Sequence, residues 1–286
     1  MQDTQFNDIV EELKKEAEIL KPNGWQKFWA TISGPVRYPL RFLSWPFRAL
    51  FSIVIVPAAY EESLNDLAQA EEYCPHDTEA LKLSNNNFFH QEIKYGIPRN
   101  DSCSMIFTVN KNDTKAVEKR KLTIFFSGNG QTALSSLDGL VRLHSMGNNN
   151  ITNDVLFVDW PKGAKSSKEL VNSGLQAVFR AISAGYKPEN ITISGFSLGG
   201  AVAAEVLKES KKYLEPNEKF HAYVNHRSFS DLESVVAGWI SNVKVINFIL
   251  KTIINGLLSL LGLNLDAGSA IKSGLPVGRM KFYYTL

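Results

Sequence analysis

Ser197 lies at the centre of Gly195-Phe-Ser-Leu-Gly199, a Gly-x-Ser-x-Gly spacing inside the longer run Ile191-Thr-Ile-Ser-Gly-Phe-Ser-Leu-Gly-Gly200. A β-branched run precedes the serine, and Ala201-Val-Ala-Ala-Glu-Val-Leu207, a series of good helix formers, follows it. A serine between a strand and a helix in this way stands on a sharp turn with its hydroxyl presented as a nucleophile. Glycines suit the flanking positions because bulky neighbours would collide with the strained backbone of such a turn. The alternative is a glycine-rich strand-to-helix loop with a bystander serine. A nucleophilic serine also needs donors aimed at the oxyanion that develops when it attacks a carbonyl. One candidate is the backbone N–H of Leu198, at the amino end of the following helix. The other is an amide of Gly128-Asn129-Gly130, after an earlier apolar strand, with Asn129 the first choice and Gly130 the next. Asn-Gly is also an ordinary turn sequence.

Positioning such groups requires strands and helices in a particular order. Phe88–Tyr95, Met105–Val109, Leu122–Phe126, Val155–Val158, Ile191–Ser194 and Phe220–Asn225 read as strands, with a last one beginning near Gly278. Helical patterns fall between them, after Gly130, over 167–184 and from the Ser197 turn, an elbow in the backbone, to about Tyr213. This alternation predicts a mostly parallel α/β sheet with helices on both faces. Residues 5–20 carry apolar side chains at helical spacing, and Pro22-Asn23-Gly24 stops that pattern. From Ile19 to Tyr60 acidic residues are absent, while Lys21, Lys27, Arg37, Arg41 and Arg48 alternate with aromatic residues. The organisation expected is therefore a helical, basic-aromatic extension over 1–84, a core over 85–286, and a helical cap over 232–265. The apolar stretch from Ser234 to Asn264 is a helix covering the site, a membrane-contacting helix or plain core. The extension either packs on the core or meets an anionic lipid surface, so 25–56 and 236–263 are the segments for peripheral membrane contact.

With 286 residues, 44% of them hydrophobic, the chain can bury a large core. A net charge of +2 and the lack of an aromatic-and-basic recognition module argue against a nucleic-acid partner. Cys74 and Cys103 lack metal-ligand spacing and are too few for a disulfide framework, which fits a reducing compartment. The polar, acidic amino terminus is unlike a secretory signal. No metal or organic cofactor is expected, because serine-based acyl transfer needs none.

These residues resemble the α/β-hydrolase superfamily. More narrowly, Phe126-Ser-Gly-Asn-Gly-Gln131, Gly195-Phe-Ser-Leu-Gly-Gly200 and Asn225-His-Arg-Ser-Phe-Ser-Asp231 look like blocks of the chlamydial CHLPS-type proteins and related hydrolase-like effectors of intracellular bacteria. The resemblance covers about residues 85–286. It implies a serine-hydrolase scaffold with Ser197 as nucleophile and amides near Asn129 and Leu198 as the oxyanion hole. It also implies a protein that is cytoplasmic or delivered into a host cell. The usual histidine before the glycine of the oxyanion loop is Ser127 here, a departure that weakens loop anchoring more than catalysis.

The superfamily places an acid and then a histidine after the serine. The histidines after Ser197 are His221 and His226, and the acids before His226 are Glu205, Glu209, Glu215 and Glu218. None forms a triad in that order. His221 reads as a core or surface histidine. His226, at a strand's carboxyl end with Asp231 nearby, is a substitute base, while Asp231 equally reads as a helix N-cap. In the resembled pattern the acid follows the strand near Gly278–Leu286 and the histidine comes later, so the chain is expected to be a truncated enzyme or a degenerate relative. The expectation is a serine hydrolase acting on an ester, thioester or lipid acyl group through an acyl-enzyme at Ser197, inactive or weak as it stands. The rival is a non-catalytic, membrane-peripheral binding protein on the same scaffold.

Overall fold

The computed structural model describes residues 3–15, 88–97, 100–129, 131–133, 136–137, 153–161, 164, 166–232, 234, 252, 255–256, 258–259 and 264–283. The basic-aromatic stretch from Ile19 to Tyr60, Gly130 and most of the cap lie outside the described residues. Seven strands form one sheet: β1 (Phe88–Ile97), β2 (Asn100–Asn110), β3 (Leu122–Phe126), β4 (Asp154–Val158), β5 (Ile191–Phe196), β6 (Ala222–His226) and β7 (Met280–Tyr283). Their order across the sheet is β1-β2-β4-β3-β5-β6-β7. β2 is antiparallel to both β1 and β4, and every pairing from β4 to β7 is parallel. Among the described residues, the α-helices with defined bounds are α1 (Asp3–Lys14), α2 (Ser167–Ser183), α3 (Leu198–Ser210) and α4 (Ala267–Lys272).

Alternation along the strands builds two apolar layers. Leu122, Ile124 and Phe126 of β3, with Leu156 and Val158 of β4 and Met105, Phe107 and Val109 of β2, enter the larger core. It also takes in the buried side chains of α1, α2, α3 and α4. The intervening residues Ile106, Val155 and Phe157 meet Ala133 and Leu137 on the opposite face, with Phe125 packed against them. Period-2 side chains thus place one strand in contact with helical residues on both sides. β1 and β2 run further than their apolar cores indicate, because the hairpin pairing continues through Lys94↔Ser104 and Tyr95↔Cys103 to Ile97↔Asn100. Backbone pairing carries the ladder through residues that hydropathy reads as turn.

Helix α1 buries Phe6, Ile9, Val10 and Leu13, one stripe at helical spacing. Phe6 stacks on Phe89 at 4.8 Å and on Phe107 at 5.9 Å, and Arg180 Nη1 donates to the Leu13 carbonyl at 2.7 Å. A buried cation closing the carboxyl end of α1 satisfies orphan carbonyls and favours the helix dipole.

The two ends of the sheet differ. At the amino ends of β3 and β4, Arg120 and Asp154 are both buried and form a bidentate pair at 2.6 and 2.5 Å. Tyr186 adds its hydroxyl to the same carboxylate at 2.5 Å. At the carboxyl ends of β5 and β6 the backbone is strained instead. Ser197 with φ 51° and Arg227 with φ 53° are the positive-φ non-glycine residues among the described residues. Ligand sites of open α/β sheets form at this edge.

Candidate active site

Ser197 follows β5 directly and precedes the first residue of α3, with φ 51° and ψ −117°. That backbone region is costly for a residue bearing a Cβ, and such strain persists where the surroundings over-determine it. Here the neighbours leave little choice. A Cβ on Gly195 would lie 2.3 Å from the Gly199 carbonyl oxygen, and one on Gly199 would lie 2.1 Å from the Phe126 oxygen and 2.5 Å from that of Ser127. The first turn of α3 is therefore pressed against both β5 and the loop that leaves β3. On its other side, Ser197 N–H donates to the His226 carbonyl at 2.9 Å, and Gly200 N–H returns to the Ser197 carbonyl at 3.1 Å.

The Leu198 N–H opens α3 without an acceptor among the described residues. It lies at the positive end of the helix dipole, where developing negative charge is favoured. The β3 loop is in contact with the elbow, since a Cβ on Gly128 would meet the Phe196 ring at 2.7 Å. Gly128 N–H is taken by Gln131 Oε1 at 3.0 Å, and Asn129 is exposed at the turn. Ser127 is fully buried and shares a 3.1 Å hydrogen bond with Ser136.

His226 is paired in register with Phe196, which places its backbone beside the elbow. Its ring stacks on Tyr283 with centroids 4.9 Å apart and planes at 5°, and burial lowers its pKa below the ordinary imidazole value, favouring the neutral form. The Asp231 carboxylate accepts from Ser234 N–H at 2.8 Å and from the Ser230 hydroxyl at 2.6 Å, the geometry of a helix N-cap. His221 lies at the other end of the sheet, its N–H bonded to the carbonyl of Ile191, the first residue of β5. Glu205 pairs with Lys208 along α3, and Glu209 with Lys212 just past its end. Ser197, Leu198, the Gly128–Asn129 turn and the His226 backbone thus come together, while His221 and these two glutamates lie elsewhere.

Sequence reading misses the supports of the elbow. Tyr223 donates its hydroxyl to the Gly200 carbonyl at 2.7 Å and receives Asn225 Nδ2 at 2.8 Å, while Asn225 Oδ1 accepts Ser228 N–H at 3.1 Å. This buried chain ties β6 and its loop to the first turn of α3. The available signal was Tyr223 and Asn225, two hydrogen-bonding side chains at alternate positions of β6 and so on one of its faces. The segment between β6 and β7 also leaves and returns at one point, since Leu232 N–H bonds to the Leu265 carbonyl at 3.0 Å and Gly268 N–H to that of Ser230 at 2.7 Å. Among the described residues no cluster of three His, Cys, Asp or Glu side chains could hold a metal, and no helix is long and apolar enough to cross a membrane.

The mixed sheet with its antiparallel second strand, its crossover order, and a strained serine between β5 and α3 define an α/β-hydrolase fold. No protein-family model matches the chain, and no curated protein does. Among solved structures it is similar to a bacterial heroin esterase, at 17% identity and a TM-score of 0.46, over 72% of this chain and 66% of that one. It is also similar to EstE5 in its PMSF form, at 12% identity and a TM-score of 0.45, over 84% of this chain and 87% of that one. A fungal esterase from Rhizomucor miehei gives 15% identity and a TM-score of 0.46, over 84% and 86% of the respective chains. At this identity and overlap these are likenesses only, and the elbow geometry carries the functional reading.

Proposed function

We propose that this chain is a serine hydrolase that cleaves an ester, thioester or lipid acyl group through an acyl-enzyme at Ser197. The observation that carries the reading is the strained backbone of Ser197, held between two glycines that have no room for a side chain. In the reaction Ser197 Oγ adds to the acyl carbon, the carbonyl π electrons move to oxygen as the oxyanion, and collapse of this tetrahedral intermediate re-forms the carbonyl as the bond to the leaving oxygen or sulfur breaks. The Leu198 amide, with an amide of the β3 loop at Asn129 or Gly130, stabilises the oxyanion between them. The hydroxyl proton passes to a base and then to the leaving group, and water releases the acyl group by the same route. His226 is the candidate base: its backbone pairs with Phe196 beside the elbow, and its lowered pKa favours the neutral, proton-accepting form. The pinched segment between β6 and β7 supports a cap over this edge of the sheet.

A fluorophosphonate probe tests the reading. Covalent labelling of the full chain that vanishes in Ser197→Ala is expected, and labelling that survives that substitution refutes it. A second reading, a hydrolase-like binding protein, is favoured by one observation. Among the described residues neither the Ser197 hydroxyl nor a His226 ring nitrogen has a hydrogen-bond partner, and the His226 ring rests on Tyr283. That reading includes peripheral membrane contact through 25–56 or 236–263, and equal recovery of protein with and without anionic vesicles in co-sedimentation excludes the contact.

A further inference from the structure

We infer that Trp160 is a positioning residue for the oxyanion loop, acting through the Gly128 carbonyl; this rests on Ser197 being the nucleophile. Trp160 leaves the carboxyl end of β4 and is buried, its ring stacked on Phe126 with centroids 6.2 Å apart and planes at 17°. From there its indole N–H reaches the Gly128 carbonyl at 3.4 Å, and the Gln131 backbone N–H approaches the same oxygen at 3.3 Å. Each bond is long, and together they fix which way that carbonyl faces. The described backbone contains no cis peptide, so the Gly128 carbonyl and the Asn129 N–H point in opposite directions within one peptide plane. Holding the carbonyl toward Trp160 therefore turns the Asn129 amide, the proposed second oxyanion donor, to the other side.

The neighbouring contacts serve the same loop. Gln131 Oε1 holds the Gly128 N–H at 3.0 Å. Asp159 Oδ1 accepts the Ala133 N–H just beyond the loop, and its Oδ2 is fixed by the Ser104 hydroxyl at 2.6 Å. The Ser127 hydroxyl bonds to that of Ser136 and takes no part in holding the Gly128 carbonyl. The loop is thus held both from its own sequence, through Gln131 and Ser136, and from the end of the neighbouring strand, through Trp160 and Asp159. A buried indole also needs an acceptor for ordinary packing reasons, so the test must separate orientation from packing.

Trp160→Phe retains a stacked ring and removes the donor. In the full chain its rate of Ser197 modification by a fluorophosphonate is expected to fall about tenfold, less than the roughly hundredfold typical of deleting an oxyanion donor. Affinity for a boronic acid, which forms a charged tetrahedral adduct on the serine, is expected to fall in parallel. Affinity for a non-hydrolysable amide analogue of the ground state is expected to stay unchanged. Gln131→Met, at an exposed side chain, releases the other side of the same turn and is expected to move the same two readouts in the same direction; it decides the question should Trp160→Phe fail to fold. Wild-type rates and boronate affinities in both variants overturn the inference. So does a fall matched by an equal loss of ground-state binding, which assigns Trp160 to packing. Absence of Ser197-dependent labelling in the wild-type chain overturns the nucleophile reading, and this inference with it.

Discussion

Replacing Ser197 with glycine is expected to stabilise the protein while removing its nucleophile. The residue sits at φ 51°, ψ −117°, where a Cβ is unwelcome and glycine is at ease. Strain of this kind costs on the order of 1–3 kcal/mol, and glycine forfeits roughly 0.5–1 kcal/mol through its freer unfolded chain. The difference favours Ser197→Gly by about 1 kcal/mol. Ser197→Ala is the proper comparator, because it keeps the Cβ and loses a hydroxyl that has no hydrogen-bond partner among the described residues. Its stability is expected within about 0.5 kcal/mol of wild type. For 286 residues, an unfolding entropy near 2.1 cal/mol/K per residue makes 1 kcal/mol equivalent to roughly 2 °C in Tm. Thermal unfolding followed by circular dichroism, with urea titration as a second measure, reads the difference directly. A glycine variant no more stable than the alanine variant would refute the claim that the elbow stores strain.

Gly199→Ala is expected to cost several kcal/mol in urea unfolding or to displace the elbow, because the new Cβ would sit 2.1 Å from a backbone oxygen that cannot move aside; near-wild-type stability with intact labelling would contradict the packing. Arg120→Met strands a buried Asp154 carboxylate and is expected to cost about 3–5 kcal/mol, with Asp154→Leu added to it recovering a substantial part. A loss below about 1 kcal/mol in the single variant would show that the pair contributes little. Burial, with the Lys111 charge, holds His90 down at about 4 against an ordinary 6.5. The unfolded chain therefore takes up this proton first as the pH falls, so stability present above pH 6.5 is lost on acidification through about pH 4. Urea titrations across that window should lose on the order of 3 kcal/mol through this site, and His90→Gln should flatten the slope; an unchanged slope would refute it.

Much of the scaffold was legible in the chain. The apolar runs of β3 and β4, the amphipathic stripe of α1 and the helix formers of α3 each satisfy a local rule of period or propensity, and each forms its element. The limits of β1 and β2 were less legible, because the hairpin ladder depends on partner backbone rather than on hydropathy. Arg120 and Asp154 are separated by 34 positions, and no local pattern announces that they meet. The contact of Trp160 with Gly128 was invisible for the same reason, and the alternation of Tyr223 and Asn225 marks a shared face of β6 without naming the Gly200 carbonyl that it meets.

By itself the sequence determined that a serine would stand between two glycines where a strand becomes a helix, since that requirement is steric and confined to neighbours in the chain. The tertiary structure decided what the elbow is pressed against. It brings the Phe126 and Ser127 carbonyls against Gly199, puts the His226 carbonyl on the Ser197 N–H, and turns the His226 ring onto Tyr283. Those contacts join β3, β5, β6 and β7, whose order across the sheet differs from their order along the chain. They arise from the packing of non-local elements, which residue type and spacing do not encode.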